Sequence, residues 1–149
     1  MQNPDLEPPV NPLPPAVVLV FLALAGVEAG LSLGEAGMIG GPGAVGWRLG
    51  LVRDFGFSGQ VFDWMLANQR WPLSEVKRFV TFPIVHLGFT HALFAMVLLL
   101  ALGKMVAEAM GQLAFLVIFV LSGVGGAVIY GVLLDDTTWI AGPIPMFTG

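Results

Sequence analysis

Residues 76–111 read VKRFVTFPIVHLGFTHALFAMVLLLALGKMVAEAMG, a charged approach that turns into a long apolar run with two histidines, His86 and His91, at its mouth. The apolar part extends from Leu87 to Leu102, and Gly103, Lys104 and Glu108 mark its exit. From His86 to Val106 the segment is about 20 residues long, which at roughly 1.5 Å per residue crosses the hydrocarbon core of a bilayer. It predicts a transmembrane helix over 86–106.

The rest of the chain agrees with a bilayer as solvent. Of 149 residues 56% are hydrophobic and only 11% charged, and the mean hydropathy is +0.86; a soluble domain carries roughly 25% charge. Two more apolar runs are long enough to span, 16–33 and 113–134. The expected fold class is therefore an all-α integral membrane protein with three transmembrane helices. There is no cysteine, hence no disulfide framework and no thiolate metal site. Six Lys+Arg and a net charge of −4 offer no basic surface for nucleic acid, which removes that class of partner.

Ahead of the first run, residues 1–15 hold six of the eleven prolines and no basic side chain. They predict an extended, solvated tail, without the basic start and small-residue cleavage site of a secretory signal. The membrane domain is then 16–149. Within the first run Gly26, Gly30 and Gly34 recur every four residues, on a face where a second helix backbone can approach closely. Glu28 is the one ionisable group inside that run, and a carboxylate so near its end is expected to reach the interface or be capped by a neighbour.

Residues 34–85 form a long interfacial connection. Its first part, GEAGMIGGPGAVGWRLG, is too glycine-rich for a regular helix and predicts an irregular or re-entrant segment. From Ser58 onward, Val61, Trp64 and Met65, with Phe62, fall on one side of a short amphipathic helix, and Trp47, Trp64 and Trp71 read as headgroup anchors. Ser74 is the expected N-cap of a further helix. Five of the six basic residues lie here, Arg48, Arg53, Arg70, Lys77 and Arg78, which by the positive-inside count places the connection in the cytoplasm. The third run again spaces small residues by four, Gly123, Ala127 and Gly131, as tight helix packing requires. Beyond it, Asp135-Asp136 returns the chain to water, and 141–145 carries too much Gly and Pro to be helical throughout.

His86 and His91 are the only histidines. On one helix a separation of five residues turns them about 140° apart, so they do not form an i, i+4 metal pair. No further His or Cys completes a site, and neither a metal nor a cofactor is expected.

The stretch Arg78, Thr81, His86-Leu-Gly-Phe-Thr-His91-Ala-Leu-Phe-Ala95, then Gly103, Glu108 and Gly111, resembles the rhomboid family of intramembrane serine proteases. The LSGVGG of 121–126 is similar to the family's third helix, and the tryptophan-rich connection looks like its interfacial first loop. The resemblance covers about 16–149 and implies the first half of a six-helix bundle, with a cytoplasmic N-terminus and an extracytoplasmic first loop, against the charge count. It also implies an oxyanion-binding role for His91 together with the residue at Ala95, and a structural one for His86.

Two departures stand out. Ala95 occupies the position of the family's asparagine, and alanine has no donor for a developing oxyanion; losing one such donor slows a reaction by about 10²–10³. The family's Gly-x-Ser-Gly nucleophile motif, carried on its fourth span, is expected to be missing: Ser122-Gly123 does not supply it, because Val120 precedes. A partner histidine from a sixth span finds no room either. The expectation is thus a rhomboid-like protein of the bacterial inner (cytoplasmic) membrane, non-catalytic, that binds transmembrane helices of partner proteins or serves as a subunit of a larger membrane complex. The alternative is the first half of an active protease whose serine lies beyond Gly149.

Overall fold

A computed structural model describes residues 12–133 and 139–140. The tail over 1–11, the Asp135-Asp136 exit and the Gly- and Pro-rich 141–149 lie outside the described residues.

Three helices are long and apolar enough to cross a membrane: α1 (Pro15–Glu35), α6 (Phe89–Met110) and α7 (Gln112–Leu133). Between the first two come a 3₁₀ turn (Gly41–Gly46), α2 (Trp47–Phe55), a short strand β1 (Phe57–Ser58), α3 (Gly59–Asn68), α4 (Leu73–Val76), α5 (Arg78–Thr81) and a second 3₁₀ turn (Phe82–Ile84). β1 pairs antiparallel with β2 (Trp139–Ile140), Phe57 opposite Ile140 and Ser58 opposite Trp139.

Proline starts α1 at a position whose N–H has no intrahelical partner in any case. The next N–H, of Ala16, donates to Gln112 Oε1 at 3.0 Å, so a side chain from the start of α7 caps the first span. At the other end Gly37 adopts φ +71°, and the Met38 N–H closes the helix on the Leu33 carbonyl at 2.9 Å. α6 and α7 are joined through Gly111 alone, at φ +94° and ψ 160°, backbone that only glycine enters without strain.

The three spans meet in a core of Val17 and Leu24 from α1, Ala92, Met96, Leu99 and Ala107 from α6, and Phe115 from α7. Gly103 is required at their crossing, since a Cβ there would lie 2.9 Å from the Phe115 ring and 3.3 Å from Val17. Elsewhere the spans expose Leu19, Phe94, Leu113, Ile129 and Val132 among other large apolar side chains, as lipid-facing surfaces do. A second, aromatic core joins the connection to α7. Phe57, Phe62, Phe79 and Phe82 gather beneath Ala127 and Tyr130, with Phe57 and Phe79 edge-to-face at 5.1 Å.

Several sequence expectations are corrected. The central helix begins at Phe89, after an extended Gly88, and not at His86. Pro83, inside a 3₁₀ turn, and Gly88 stop a helix from forming across the histidines. The glycine-rich part of the connection ends sooner than its composition suggests, because Trp47 begins a regular helix. On α3 the buried side chains are those of Phe62 and Met65, while Trp64 faces outward. Ser74 sits inside α4, whose N-cap is Pro72.

Candidate functional site

The most polar feature of the membrane domain lies where the connection folds back onto the ends of α1 and α6. Arg48, from the first turn of α2, reaches under the histidine segment and is 6% exposed. Its Nε–H donates to Glu35 Oε1 at 2.7 Å, one terminal nitrogen to Glu28 Oε2 at 3.0 Å and the His86 carbonyl at 2.9 Å, the other to Glu28 Oε1 at 2.8 Å and Glu35 Oε2 at 3.0 Å. That uses all five N–H groups of a guanidinium. The Ser32 hydroxyl adds a bond to Glu28 Oε1 at 2.8 Å. Of the two outcomes expected for Glu28, the structure shows capping by a neighbour: it is 3% exposed and held by a residue twenty positions away. The hydrogen bonds that Arg48 donates to Glu28 and then Glu35 raise its pKa above that of a free guanidinium.

The same bond to the His86 carbonyl fixes the strand of chain that carries His86. The helical geometry that separated the two imidazoles does not apply, because His86 precedes α6. Their rings stand edge-to-face with centroids 5.3 Å apart. His86 Nε2 and both ring nitrogens of His91 are buried without a hydrogen-bond partner among the described residues. Burial first, and then the neighbouring His91, pushes the His86 imidazole below its ordinary pKa. Ala95, one turn after His91, is buried at 4% exposure and presents only a methyl group.

A motif expected to be absent is present. Gly56-Phe57-Ser58-Gly59 is a Gly-x-Ser-Gly tetrapeptide, in the connection and not on a later span. The tetrapeptide is legible in the sequence itself, but ahead of the histidine segment and not on the fourth span where the family carries its nucleophile. Ser58 stands at the junction of β1 and α3 in extended backbone, φ −137° and ψ 128°, and caps α3 in position only, with no side-chain bond. Its hydroxyl is buried with no partner among the described residues, so neither histidine is within hydrogen-bond reach of it.

Arg78 and Thr81 hold the connection together. Arg78 pairs with Glu75 at 2.6 Å and donates to the carbonyls of Arg53 at 2.6 Å and Gly56 at 2.9 Å; the Thr81 hydroxyl donates to the Phe55 carbonyl at 3.0 Å. These carbonyls belong to the last turn of α2 and its exit, where a helix leaves acceptors unmatched.

The two glycine stripes have different surroundings. On α7, Gly123 receives Pro83, Ala127 is fully buried, and Gly131 receives the Phe62 ring, which a Cβ would meet at 2.5 Å. They admit side chains of the connection, Phe62 from α3 and Pro83 from the 3₁₀ turn before His86. On α1, Gly34 receives the Trp47 ring, but among the described residues nothing lies within 4 Å of a Cβ built at Gly26 or Gly30.

Residues 73–147 match the family model of the Rhomboid domain, a stretch that contains the histidine pair, α6, α7 and β2. No curated protein and no solved structure matches the chain.

Proposed function

The chain belongs to the rhomboid family, and on that premise we propose that it is a non-catalytic member, an integral protein of the bacterial inner membrane that packs against transmembrane helices of partner proteins, as an accessory subunit of a larger complex. The observation that carries this reading is Ala95. Its buried methyl group lies one turn after His91, whose ring nitrogens have no hydrogen-bond partner among the described residues, where an asparagine would offer a side-chain donor to the oxyanion. Ser58, in the Gly-x-Ser-Gly of the connection, supports it further: a serine becomes a nucleophile through an adjacent base, and no imidazole touches this hydroxyl.

The open face at Gly26 and Gly30 supports the helix-binding half of the reading. In lipid there is no hydrophobic drive between helices, so association depends on close backbone approach at small residues.

A fluorophosphonate probe applied to the purified full chain is expected to leave every serine unlabelled. Labelling of any serine, or cleavage of a transmembrane substrate, overturns the non-catalytic reading. Native mass spectrometry of the protein extracted in mild detergent is expected to show a co-purifying membrane protein, and a chain that always runs alone counts against the subunit role.

A further inference from the structure

The histidine pair is left without the partners that its burial calls for. His86 is 1% exposed, and its Nε2 and both ring nitrogens of the less buried His91 have no hydrogen-bond partner among the described residues. Buried polar atoms are nearly always satisfied, by protein, by water or by an ion. The His86 ring donates one hydrogen bond, to the backbone carbonyl of Ile84. Since Nε2 is the nitrogen without a partner, that proton sits on Nδ1 and Nε2 carries a lone pair. This is the tautomer that an outer carbonyl sets for a histidine that ligates a metal.

Two imidazoles on one ion have a characteristic separation. With a metal–nitrogen bond of about 2.0 Å and the nitrogen about 1.1 Å from the ring centre, the centroids lie roughly 5–6 Å apart for ligand angles from tetrahedral to linear. Those of His86 and His91 are 5.3 Å apart. The ring planes stand at 80°, and His91, held by no hydrogen bond among the described residues, can turn about its Cβ–Cγ bond to aim a nitrogen at the shared point without losing one.

The surroundings select the ion. Among the described residues no third His, Cys, Asp or Glu completes a metal-holding group, and both oxygens of Glu28 are taken by Arg48 and Ser32. Zinc calls for four ligands, whereas copper(I), a closed-shell monovalent ion, is stable with two or three, and imidazole is among the donors that copper takes. Charge agrees with this choice. Arg48 is bonded to two carboxylates, Glu28 and Glu35, so that cluster carries one net negative charge. Glu28 acts on both imidazoles, and on His86 more strongly than Arg48 does. One added positive charge is therefore matched, while a second would be buried without a counter-charge.

We propose that His86 and His91 together bind one copper(I) ion, through His86 Nε2 and one ring nitrogen of His91, in a low-coordinate site that the fold-back of the connection assembles.

The test uses the full chain in mild detergent, with isotope-labelled histidine nitrogens, titrated anaerobically with copper(I) in the presence of excess free methionine to compete with the protein's seven thioethers. The expected result is one retained ion per chain, with the imidazole resonances of both histidines moving together and zinc(II) at the same concentration displacing none of it. His91→Gln, at the less buried of the two positions, is expected to weaken binding by more than about tenfold. The resonance measurement needs no variant, so it decides even where His91→Gln fails to fold. No retained ion, an ion retained with the histidine resonances unmoved, or a folded His91→Gln that binds as tightly as the unaltered protein overturns the proposal.

Discussion

Arg48 shows how one side chain can fix the mouth of a membrane domain. Its guanidinium bonds to α1 through Glu28 and Glu35 and to the histidine segment through the His86 carbonyl, and a lysine has neither the donors nor the planar fork to do this. Truncating it leaves Glu28 charged, buried and unmatched. Arg48→Met is expected to destabilise the protein by about 3–5 kcal/mol in detergent thermal unfolding, whereas Arg48→Met combined with Glu28→Met is expected to unfold nearer to the unaltered protein. A single-variant loss no larger than that of the double variant would contradict the buried pairing. His86 gives a pH signature of its own. Its folded-state pKa is lowered by burial, so the unfolded chain takes up that proton at about pH 6.5 while the folded chain resists it. Stability contributed by His86 is thus complete above that pH and falls as the pH drops through it. Comparing melting temperatures from about pH 8 to pH 5, the acid-side loss is expected to be smaller in His86→Asn than in the unaltered protein.

At the scale of elements, the spans were legible because lipid imposes a simple rule: length and apolarity alone mark a crossing helix. Where the helices start and what they touch was not. The Pro83 and Gly88 that flank His86 are breakers visible in the sequence, yet the apolar residues between them match a continuing span, so apolarity alone places the helix start three residues ahead of Phe89. The Glu28–Arg48 pair is hidden in the sequence for a different reason. Twenty positions apart, its members are brought together only by the fold-back of the connection, which no local period encodes. The α7 stripe illustrates the same limit: spacing by four announces a close approach but not the approaching group, which turned out to be Phe62 and Pro83. Gly131→Val is accordingly expected to destabilise by about 1–3 kcal/mol through overpacking, and Phe62→Ala placed in the same chain to relieve much of that loss. If Gly131→Val melts like the unaltered protein, Phe62 does not occupy that notch.

The whole molecule presents one worked face and one open one. A Cβ at Gly26 or Gly30 meets nothing within 4 Å among the described residues, so Gly26→Leu and Gly30→Leu are expected to change stability by no more than about 0.5 kcal/mol, while abolishing recovery of a co-purifying membrane protein. Loss of folding would place those glycines in the interior instead. The absence of cysteine allows the path across the bilayer to be mapped with single introduced thiols. With α1 and α6 joined by the connection at one end, and α6 and α7 by Gly111 at the other, Leu73→Cys and Met38→Cys are expected to react with an impermeant maleimide from one side of intact membranes, and Met110→Cys from the opposite side. Labelling of all three from the same side would exclude a crossing α6. The amide of Gln112, bonded to the backbone of Ala16, has a mechanical corollary. Tension applied to the leading segment of the polypeptide would pass through that latch into the hairpin between the second and third spans before the first span could slip, so Gln112→Ala should let the first span be extracted at lower force in a single-molecule pull.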